Sequence, residues 1–548
     1  MQITCLDKSM VFPEPCTVLD CLSAMGILNT GILAVMAGSR LMELGDTLES
    51  DAELQPITFA DSEGRRIYER SLRFVMLMAL KTRYPGERVR VEYSVAGGIL
   101  VRMPNHALSS RDVRQIESDM RAICQLDMPF THETWSTEKA IAYFTADGQQ
   151  DKVDLLHYRR LQTIRMYHCG QMYEYFYGAM APSTGYVSVF DVLLHGNGFV
   201  LSLPSVAEPD SPAPYIERPR HLAVFDQSAH WCSILGVENV SDLAHLMEKH
   251  RLREFIRVNE ALHDQAMIDT ARTISEGRKR IVLIAGPSSS GKTTFAGKLA
   301  IQLRVLGHRA IRVSLDNYYR NRAEIPLEPD GSVDLEHIRA IDVPLIQQQA
   351  LQLLQGEEVQ LPVYSFKTKN REEQGIPLQL GPDDILIFEG IHALNPELSR
   401  GVPQDAIHRI FVSALTCLNL DDHNRIRTTD VRLLRRIVRD HQFRGVEPSE
   451  TLGMWESVRR GEETWIFPYQ EMADTVFNTA LHYELPVLAH FSRGVFSSLT
   501  PSMPGYLLAL RLKKMLNYVP EIDPAILDEI PPLSLLREFI GGSTIDEE

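Results

Sequence analysis

The C-terminal half of the chain contains short apolar runs that alternate with helix-like segments. These runs are IVLIA (281–285), RAIRVSL (309–315), DILIFEG (384–390) and RIFVSAL (409–415). Runs of mainly apolar residues of this length are typical of strands that are covered on both faces. Because they alternate with helices, they predict a parallel, doubly wound α/β sheet.

The N-terminal half mixes apolar and polar positions over shorter distances. Up to about residue 60 they alternate as in a small half-buried sheet, with a helix-like stretch from Val18. Beyond it, helices such as SLRFVMLMALKTRY mix with strands such as RVRVEYSV, and a charged helical stretch precedes the first buried run. We therefore divide the chain into two α+β domains at 1–60 and 61–235, a helical linker at 236–275 and an α/β domain at 276–548.

Composition excludes several classes of protein. The 548 residues are 44% hydrophobic with a formal net charge of −16, which fits a globular protein and argues against a large nucleic-acid surface. A local RNA contact stays open. The seven cysteines form no Cys-x-x-Cys pair, which favours reduced thiols. No signal peptide or membrane span is recognisable at the start of the chain, so we expect a cytoplasmic location without membrane contact.

The first buried run leads into a glycine-rich loop and then into a segment with helical spacing. This context and the spacing of two glycines, a lysine and a threonine predict a phosphate-binding P-loop, and hence a P-loop NTPase fold. Glycines let backbone N–H groups close around a triphosphate, and the helix N-terminus adds about half a positive charge. Lys292 would bridge the outer phosphates, and the Thr293 hydroxyl would hold Mg²⁺, which prefers oxygen ligands. The predicted ATP-binding residues of the loop are Gly286, Ser288, Ser289, Ser290, Gly291, Lys292, Thr293 and Thr294.

Acidic residues at the same edge of the sheet narrow the choice among the classes of nucleotide-binding protein. The chain lacks the Asn-Lys-x-Asp motif that reads guanine, which disfavours a GTPase. Asp316 and Glu389 end the second and third runs, where open α/β sheets bind ligands. Asp316 could accept a hydroxyl proton or merely cap a turn, and Glu389 could hold Mg²⁺. Asp334, Tyr364 and Phe366 could contact a ribose and a base, or could be a surface acid and core aromatics.

A basic helix follows the fourth run, in NRIRTTDVRLLRRIVRDHQFRG. At helical spacing, one face carries four arginines and the opposite face is apolar. The arginines are Arg432, Arg435, Arg436 and Arg439. Such a face could be solvated or bind RNA, but beside a P-loop it is better interpreted as a lid that neutralises a transferring phosphoryl group.

Seven motifs together resemble the uridine kinase branch of the uridine kinase/phosphoribulokinase group, over residues 276–548. They are GPSSSGKTTFAGKLAIQLRVLG, SLDNYYRNR, DGSVDLEHIRAID, VQLPVYSF, ILIFEGIHALNP, TTDVRLLRRIVRDHQFRG and REFIGGS. The resemblance implies an enzyme that uses ATP and Mg²⁺, with Lys292 and Asp316 as catalytic residues and Asp316 as the base for a nucleoside 5′-hydroxyl. It implies lid contacts to ATP from Arg439 and Arg444. The nucleoside contacts that it implies are Tyr319, Asp334, Tyr364, Phe366 and Arg436.

Three positions depart from the family pattern, all on the side of the base. Lys369 stands where these kinases have a histidine, Met454 lies about where a glutamine reads the pyrimidine, and Val446 replaces an arginine. Because a changed hydrogen-bonding edge can redirect specificity, phosphoryl transfer is predicted more firmly than the preferred base.

The N-terminal half resembles a different enzyme. Residues 1–60 are similar to the TGS domain of threonyl-tRNA synthetases, and 61–235 resemble the editing-type domain that follows it, through DSEGRRIYERSLRFVMLMAL, LSSRDVRQIESDMRAI and GQMYEYFYGAMAPSTG. Editing domains of this kind hold a metal. The aligned positions are Arg70, Phe74, Phe176 and Met180, which cannot ligate zinc. A replacement site at His157, His168 and Cys169 is the less favoured alternative to ordinary core or surface positions.

Two functions remain at this point. The favoured one is an ATP- and Mg²⁺-dependent kinase for the 5′-hydroxyl of a nucleoside, uridine or cytidine, in pyrimidine salvage. The other is an RNA-linked regulatory or binding protein in which the P-loop acts as an ATPase switch. We expect nucleoside and ATP as ligands, a homo-oligomer, and a tRNA or other RNA contact only through the N-terminal half.

Overall fold

A small mixed sheet opens the chain. The structure is a computed structural model that describes residues 1–95, 97–159, 161–326, 334–365 and 368–545. The first elements are β1 (Gln2–Cys5), β2 (Lys8–Val11), β3 (Cys16–Thr17), α1 (Val18–Ala24), β4 (Ile32–Ala37), β5 (Arg40–Glu43), β6 (Thr47–Leu48) and β7 (Ala52–Thr58). The strand order is β2-β1-β7-β4-β5, and α1 packs on the sheet to close a small apolar core. The alternating pattern therefore predicted this sheet correctly.

The next α+β region has two antiparallel sheets, ordered β13-β14-β9-β8 and β10-β11-β12. The long helix α2 has most of its surface buried, because its second half is apolar on all sides and its first half buries Glu69, Arg70 and Arg73 as well. The elements are α2 (Ser62–Arg83), β8 (Arg90–Val95), β9 (Gly98–Arg102), α3 (Ser110–Gln125), β10 (Thr131–Ser136), α4 (Thr137–Ala146), α5 (Gln150–His157), β11 (Thr163–Cys169), β12 (Met172–Tyr175), β13 (Asp191–His195) and β14 (Gly198–Ser202).

Three helices connect this region to the P-loop half, and they are α6 (Pro219–Leu235), α7 (Val240–Glu248) and α8 (Leu252–Glu276). The end of α8 packs through Met267, Ala271 and Ile274 into the core of the following sheet. The charged stretch predicted as a linker is therefore partly a packed helix. The domain boundaries at 60, 235 and 275 stay a prediction.

The P-loop half is built on a parallel sheet in the order β16-β21-β15-β22-β25. Alternate residues of its central strand enter two separate cores, one on each face, as the continuous apolar runs predict. The elements are β15 (Ile281–Ala285), α9 (Lys292–Val305), β16 (Ala310–Ser314), α10 (Val343–Leu354), β17 (Val359–Leu361), β18 (Tyr364–Ser365), β19 (Asn370–Arg371), β20 (Ile376–Leu378), β21 (Ile385–Glu389), β22 (Ile407–Ser413), β23 (Asn419–Asp421), β24 (Asn424–Arg425), α11 (Thr428–Phe443), α12 (Pro448–Trp465), β25 (Thr475–Asn478), α13 (Glu484–Ser492), α14 (Tyr506–Leu516) and α15 (Arg537–Ile540).

The β23–β24 hairpin, which we name the junction hairpin (419–425), joins the two halves of the chain. Its Asn419 side chain donates to the Val91 carbonyl at 2.8 Å, and its Asn424 side chain donates to the Tyr175 carbonyl at 3.1 Å. One large apolar core contains residues of both halves, from Trp135 to Ile540. The N-terminal half is thus packed onto the P-loop half immediately before the arginine helix α11. Among the helices that the structure describes, none is long and apolar enough to cross a membrane.

Candidate active site

The P-loop joins the central strand β15 to helix α9 at the carboxyl edge of the sheet. Gly286 begins the loop, where a β-carbon would lie 2.2 Å from the Val412 carbonyl oxygen. Gly291 has a φ of 84°, a conformation that favours glycine and turns the loop into the helix. The Lys292 ammonium donates to the Gly286 carbonyl at 3.0 Å. The free N–H groups at the helix start and this ammonium together form a site suited to an anion.

Two carboxylates stand beside the P-loop because β21 and β16 follow β15 outward in the sheet. Glu389 ends β21, Asp316 lies in the turn after β16, and the Thr293 hydroxyl donates to Glu389 Oε1 at 3.4 Å. Desolvation raises the pKa of Glu389 to about 7 although Lys292 opposes the shift. Desolvation also raises the pKa of Asp316, against the effect of Lys292 and Arg444. The structure thus brings together the carboxylates and the lysine that the sequence separates.

The Thr293 hydroxyl and the Glu389 carboxylate fit a divalent cation such as Mg²⁺. Both are hard oxygen donors, and they face the loop at which phosphate oxygens would complete the coordination. Within the described part of the chain Glu389 has no ion-pair partner within 4.0 Å, so its carboxyl group is available to a cation, which would displace its proton. These two residues are therefore the predicted Mg²⁺ ligands that the geometry supports.

The four arginines on one face of α11 differ in their environment. The side chains of Arg432 and Arg435 are 1% and 0% exposed. Arg432 pairs with Glu462 of α12 and donates to the Ser288 carbonyl at 2.9 Å, and Arg435 pairs with Glu484 of α13 at 2.6 Å. The expectation that the whole face offers guanidiniums to a ligand is wrong for these two, because carboxylates from distant helices neutralise them. Arg432 and Arg435 instead stabilise the P-loop by donating hydrogen bonds to its backbone carbonyls.

The buried carboxylate of Asp440 holds the remaining arginines at the mouth of the cleft. Its oxygens lie 3.2 Å from Arg436 Nε, 3.1 Å from Arg439 Nη2 and 3.5 Å from Arg444 Nη1. Arg436 also donates to the Ser288 hydroxyl at 3.0 Å. Even with Glu538, which lies 3.7 Å from Arg439, two carboxylates cannot neutralise three guanidiniums, so positive charge remains beside the P-loop. This arrangement can stabilise negative charge on a transferring phosphoryl group.

A cavity of about 920 Å³ opens beside Arg436, between residues 334–340 and helix α12, and we name it the acceptor cavity. Asp334 and Met454 line it together with Arg436. Three residues that were predicted to contact a nucleoside or its base thus line the same cavity. Its volume is within the range of small-molecule sites, about 300–1,000 Å³.

Sequence reasoning missed Glu336, which lines the same cavity. Desolvation raises the pKa of its carboxyl group to about 7, while Arg436 and Lys292 oppose the shift. Gly461 of α12 packs against it, and a β-carbon there would lie 2.7 Å from the Glu336 β-carbon. Asp334 instead accepts a hydrogen bond from the Glu336 backbone N–H at 2.9 Å and so shapes the turn. The signal was present in the sequence as a second acid two residues after Asp334.

The remaining predicted contacts differ in how closely they approach the cavity. The rings of Tyr319 and Tyr364 lie 5.5 Å apart, and the Tyr319 hydroxyl donates to a backbone carbonyl of the cavity wall at 3.1 Å. Phe366 lies outside the described residues. Lys369 sits in the turn between β18 and β19 with a φ of 59°, and the Val446 N–H donates to a carbonyl of α11 at 3.1 Å. Neither Lys369 nor Val446 lines the acceptor cavity.

A carboxylate from the C-terminal segment stands at the start of α9. Glu538 of α15 accepts a hydrogen bond from the Thr294 hydroxyl at 2.9 Å and lies 3.4 Å from its backbone nitrogen. Its other oxygen lies 3.7 Å from Arg439 Nη1. Sequence reasoning assigned no role to this residue. An anion therefore already contacts the helix start at which a phosphate would bind.

The four positions that align with the metal ligands of editing domains lie together in the N-terminal half. Phe74, Phe176 and Met180 belong to one apolar core, and Arg70 donates to the Ala179 carbonyl. A packed apolar cluster and a guanidinium thus occupy these positions. In the described residues the group of side chains spaced for a metal is Glu43, Asp46 and His132. The alternative site at His157, His168 and Cys169 is not formed there.

Comparisons with known proteins find two kinds of relatives. The Phosphoribulokinase / Uridine kinase family profile matches residues 281–484. A uridine kinase of Lactobacillus johnsonii is 32% identical over 200 residues, which are 36% of this chain and 86% of that relative. A threonine–tRNA ligase of Acidiphilium cryptum is 30% identical over 179 residues, which are 32% of this chain and 28% of the ligase. A solved structure, described as a possible uridine kinase from Bacillus stearothermophilus, has a TM-score of 0.28 at 19% identity, covering 39% of this chain and 98% of its own.

Proposed function

Because the chain belongs to the phosphoribulokinase/uridine kinase family, we propose that it transfers the γ-phosphoryl group of ATP to the 5′-hydroxyl of a nucleoside. The observation that carries this proposal is the position of Asp316. Its carboxylate lies next to the P-loop lysine, and Tyr319 connects its turn to the wall of the acceptor cavity. A donor site, a proton acceptor and a space for the acceptor molecule are therefore adjacent.

The P-loop and the arginine lid would bind ATP. Backbone N–H groups at the start of α9 and the Lys292 ammonium would contact the phosphates. Arg439 and Arg444, held by Asp440, would approach from the opposite side and neutralise charge that develops on the γ-phosphoryl oxygens. Bound Mg²⁺ would be held by Thr293 and Glu389 and would supply charge neutralisation at the β- and γ-phosphates.

The acceptor cavity would hold the nucleoside with its 5′-hydroxyl toward Asp316. The hydroxyl oxygen bonds to the γ-phosphorus as the bond from that phosphorus to ADP breaks, and the hydroxyl proton passes to the Asp316 carboxylate. Glu336, half-buried and facing Arg436, can accept hydrogen bonds from ribose hydroxyls. Most of the rate enhancement then comes from positioning and charge neutralisation.

We infer that the base is a pyrimidine, with uridine or cytidine as the substrate and pyrimidine salvage as the role. The relatives named uridine kinase support this inference. Met454 provides an apolar contact in the acceptor cavity where those kinases are expected to have an amide. An apolar wall discriminates weakly between hydrogen-bonding edges, so we expect a broader nucleoside range than an amide would allow.

The proposed function is tested by a coupled assay of ADP release across a panel of ribonucleosides. Uridine and cytidine should stimulate ADP release, whereas ribulose 5-phosphate and pantothenate, acceptors of related kinases, should not. If no nucleoside stimulates the reaction above the background without acceptor, the proposal is wrong.

Replacing Glu336 by glutamine should raise the KM for the nucleoside about 10- to 100-fold, since a hydrogen bond to a charged group contributes about 1.5–3 kcal/mol. The KM for ATP should change little. Asp334→Asn is the matched variant: asparagine can still accept the hydrogen bond from the Glu336 N–H, so its nucleoside KM should stay within about threefold of wild type. The opposite ranking in steady-state kinetics would assign the ribose contact to Asp334.

Replacing Glu538 by glutamine should lower the KM for ATP about three- to tenfold. The reason is that a carboxylate at the start of α9 repels phosphate, while glutamine keeps the hydrogen bond to Thr294 without the charge. Glu529→Gln is the control, because Glu529 pairs with Arg257 on the surface of the same C-terminal segment. A higher KM for ATP in Glu538→Gln would instead indicate that Glu538 positions the site.

A further inference from the structure

A second cavity lies where helix α14 of the P-loop half meets the first sheet and the α+β region that contains α2 to β14. Its volume is about 430 Å³, and we name it the Lys514 cavity. Five cationic side chains line it, from both halves of the chain, and they are Arg40, Arg159, Arg165, Arg511 and Lys514. Only two acidic side chains, Glu43 and Glu63, line it as well. In a chain with a net charge of −16 this is a local excess of positive charge.

The two acids pair with cations of the cavity only at the limit of ion-pair distance: Glu43 lies 4.0 Å from Arg165, and Glu63 lies 3.9 Å from Arg511. Glu43 accepts hydrogen bonds from the Tyr167 hydroxyl at 2.6 Å and from the Met180 N–H at 2.9 Å. Glu63 pairs with Arg66 at 3.2 Å, outside the cavity lining. Among the described residues Lys514 has no hydrogen bond and no ion pair. Desolvation and the nearby charges of Arg165 and Arg70 lower the pKa of Lys514, and they outweigh the opposing effect of Glu63 and Glu43.

Buried polar atoms in the same wall have unused hydrogen-bonding capacity. Among the residues that the structure describes, the Tyr175 hydroxyl beside Tyr518 and Nε and Nη1 of Arg511 make no hydrogen bond, and Nη1 has only the ion pair with Glu63 at 3.9 Å. Tyr175 and Arg511 are 2% and 8% exposed. Leaving a buried polar group unpaired costs about 1–3 kcal/mol, so such groups usually mark a missing ligand or water.

We propose that the Lys514 cavity binds a nucleoside monophosphate. Lys514, Arg165, Arg40 and Arg511 would surround the phosphate, since a dianion matches a group of cations that two acids, each about 4 Å from one of them, neutralise only in part. The tyrosine rings of the wall, Tyr175, Tyr177 and Tyr518, would contact the base. A free nucleotide and the terminal nucleotide of an RNA share this chemistry, and competition between UMP and a short RNA distinguishes them.

Two hydrogen bonds connect this cavity to the arginine helix α11. Arg511 donates to Asp430 in the first turn of α11 at 2.6 Å, and the Tyr177 hydroxyl donates to the Arg425 carbonyl just before that helix at 3.0 Å. A phosphate that binds Arg511 would compete with Asp430 for its guanidinium. Occupancy of the cavity would therefore alter the position of Arg436 and Arg439. This regulatory consequence rests on the proposed kinase function, whereas the binding itself does not.

The binding is tested by isothermal titration calorimetry of the full chain carrying Lys292→Ala, which weakens phosphate contacts at the P-loop. UMP and AMP should bind this variant, and inorganic phosphate should bind at least about tenfold more weakly because it lacks a base. Adding Lys514→Glu should weaken nucleotide binding at least about tenfold. Lys513→Glu is the matched control: Lys513 is exposed on the same helix, as Lys514 is, but it does not line the cavity, so affinity should stay within about twofold.

Equal nucleotide affinity in the Lys514→Glu and Lys513→Glu variants, or no binding at all after Lys292→Ala, would overturn the proposal. Unchanged thermal unfolding of both variants verifies that they fold. In otherwise wild-type protein, UMP should raise the KM for ATP in a way that Lys514→Glu abolishes. If no nucleoside is phosphorylated but nucleotide binding still depends on Lys514, only the proposed function is wrong.

A short single-stranded RNA provides the last comparison. If free nucleotides are the ligand, an octanucleotide with one terminal phosphate should compete with UMP no better than an equal concentration of a free nucleoside monophosphate does. The proposal is overturned if the RNA binds more tightly than UMP and if its affinity falls with added salt and in the Lys514→Glu variant. The ligand would then be the end of an RNA and not a free nucleotide.

Discussion

Replacement of Asp316 by asparagine is expected to lower turnover about 10²- to 10⁴-fold and to leave the affinity for ATP nearly unchanged. Asparagine keeps the size and the hydrogen-bonding oxygen of the side chain but cannot accept the hydroxyl proton. The P-loop, Lys292 and Arg439 do not depend on Asp316 for their contacts, because their hydrogen bonds and ion pairs are with other residues. The effect should therefore appear in kcat rather than in the KM for ATP.

The matched control is Asp383→Asn. Asp383 is an exposed acid just before β21, at the opposite end of the strand that carries Glu389, so the same chemical change should leave turnover within about twofold. Steady-state kinetics with uridine measure the turnover, and calorimetry measures the affinity for ATP. Turnover like that of wild type in Asp316→Asn would remove the base role from Asp316.

The pH dependence gives a second measurement on the same residue. Desolvation raises the pKa of Asp316 above its ordinary value of 3.8, so the residue loses its proton at a higher pH than a free aspartate. A base works only when deprotonated, and kcat/KM should therefore rise with pH through this raised pKa. The part of the rising limb that belongs to Asp316 should disappear in Asp316→Asn, while the part near pH 7 that belongs to Glu389 and Glu336 stays.

Local patterns predicted the parallel sheet because each buried strand reads as a continuous apolar run. The runs at 281–285 and 384–390 contain β15 (Ile281–Ala285) and β21 (Ile385–Glu389) within one residue at each end. The edge strand β25 was not predicted. Of its four residues, Thr475–Asn478, only Phe477 is fully buried, and so short a stretch has no periodic signal to separate it from a loop.

The site was predictable where the fold itself places the residues. A P-loop and two strand ends must meet at one edge of a parallel sheet, so Asp316 and Glu389 follow from topology. The burial of Arg432 was not predictable, because its partner Glu462 comes from another helix. Glu336 was missed for a related reason: only the packing of Gly461 shows which acid of that segment lines the cavity.

The relation of the two halves was also beyond local patterns. Sequence similarity to two enzymes suggests independent modules, yet the junction hairpin contacts the N-terminal α+β region through hydrogen bonds to the Val91 and Tyr175 carbonyls. Its charged residues are buried against partners from that region: Asp422 pairs with Arg88 at 2.6 Å and with Arg90 at 3.0 Å. Since these ion pairs and a shared apolar core cross the boundary, the halves should unfold in one cooperative transition rather than separately.

Replacement of Lys152 by alanine should lower the free energy of unfolding by about 3–5 kcal/mol, because it leaves buried carboxylates without their cation. Lys152 is 1% exposed, and its ammonium lies 3.4 Å from both Glu174 and Asp421, which are fully buried on opposite sides of the junction. Urea denaturation measures the loss. The control is Lys81→Ala, which removes a pair with Asp147 at 2.5 Å that is 40% exposed at the lysine, and it should cost no more than about 1 kcal/mol.

The loss should depend on pH in a defined direction. Burial alone raises the pKa of Glu174, but Lys152 and His423 outweigh it and hold the pKa at about 2. A depressed carboxyl pKa contributes stability that is present above the unfolded value of about 4.3 and is lost as pH falls toward 2. Lys152→Ala should therefore be most destabilising at neutral pH and approach wild type in acid. An equal loss at pH 7 and pH 3 would attribute the effect to packing rather than to the buried charges that join the two halves.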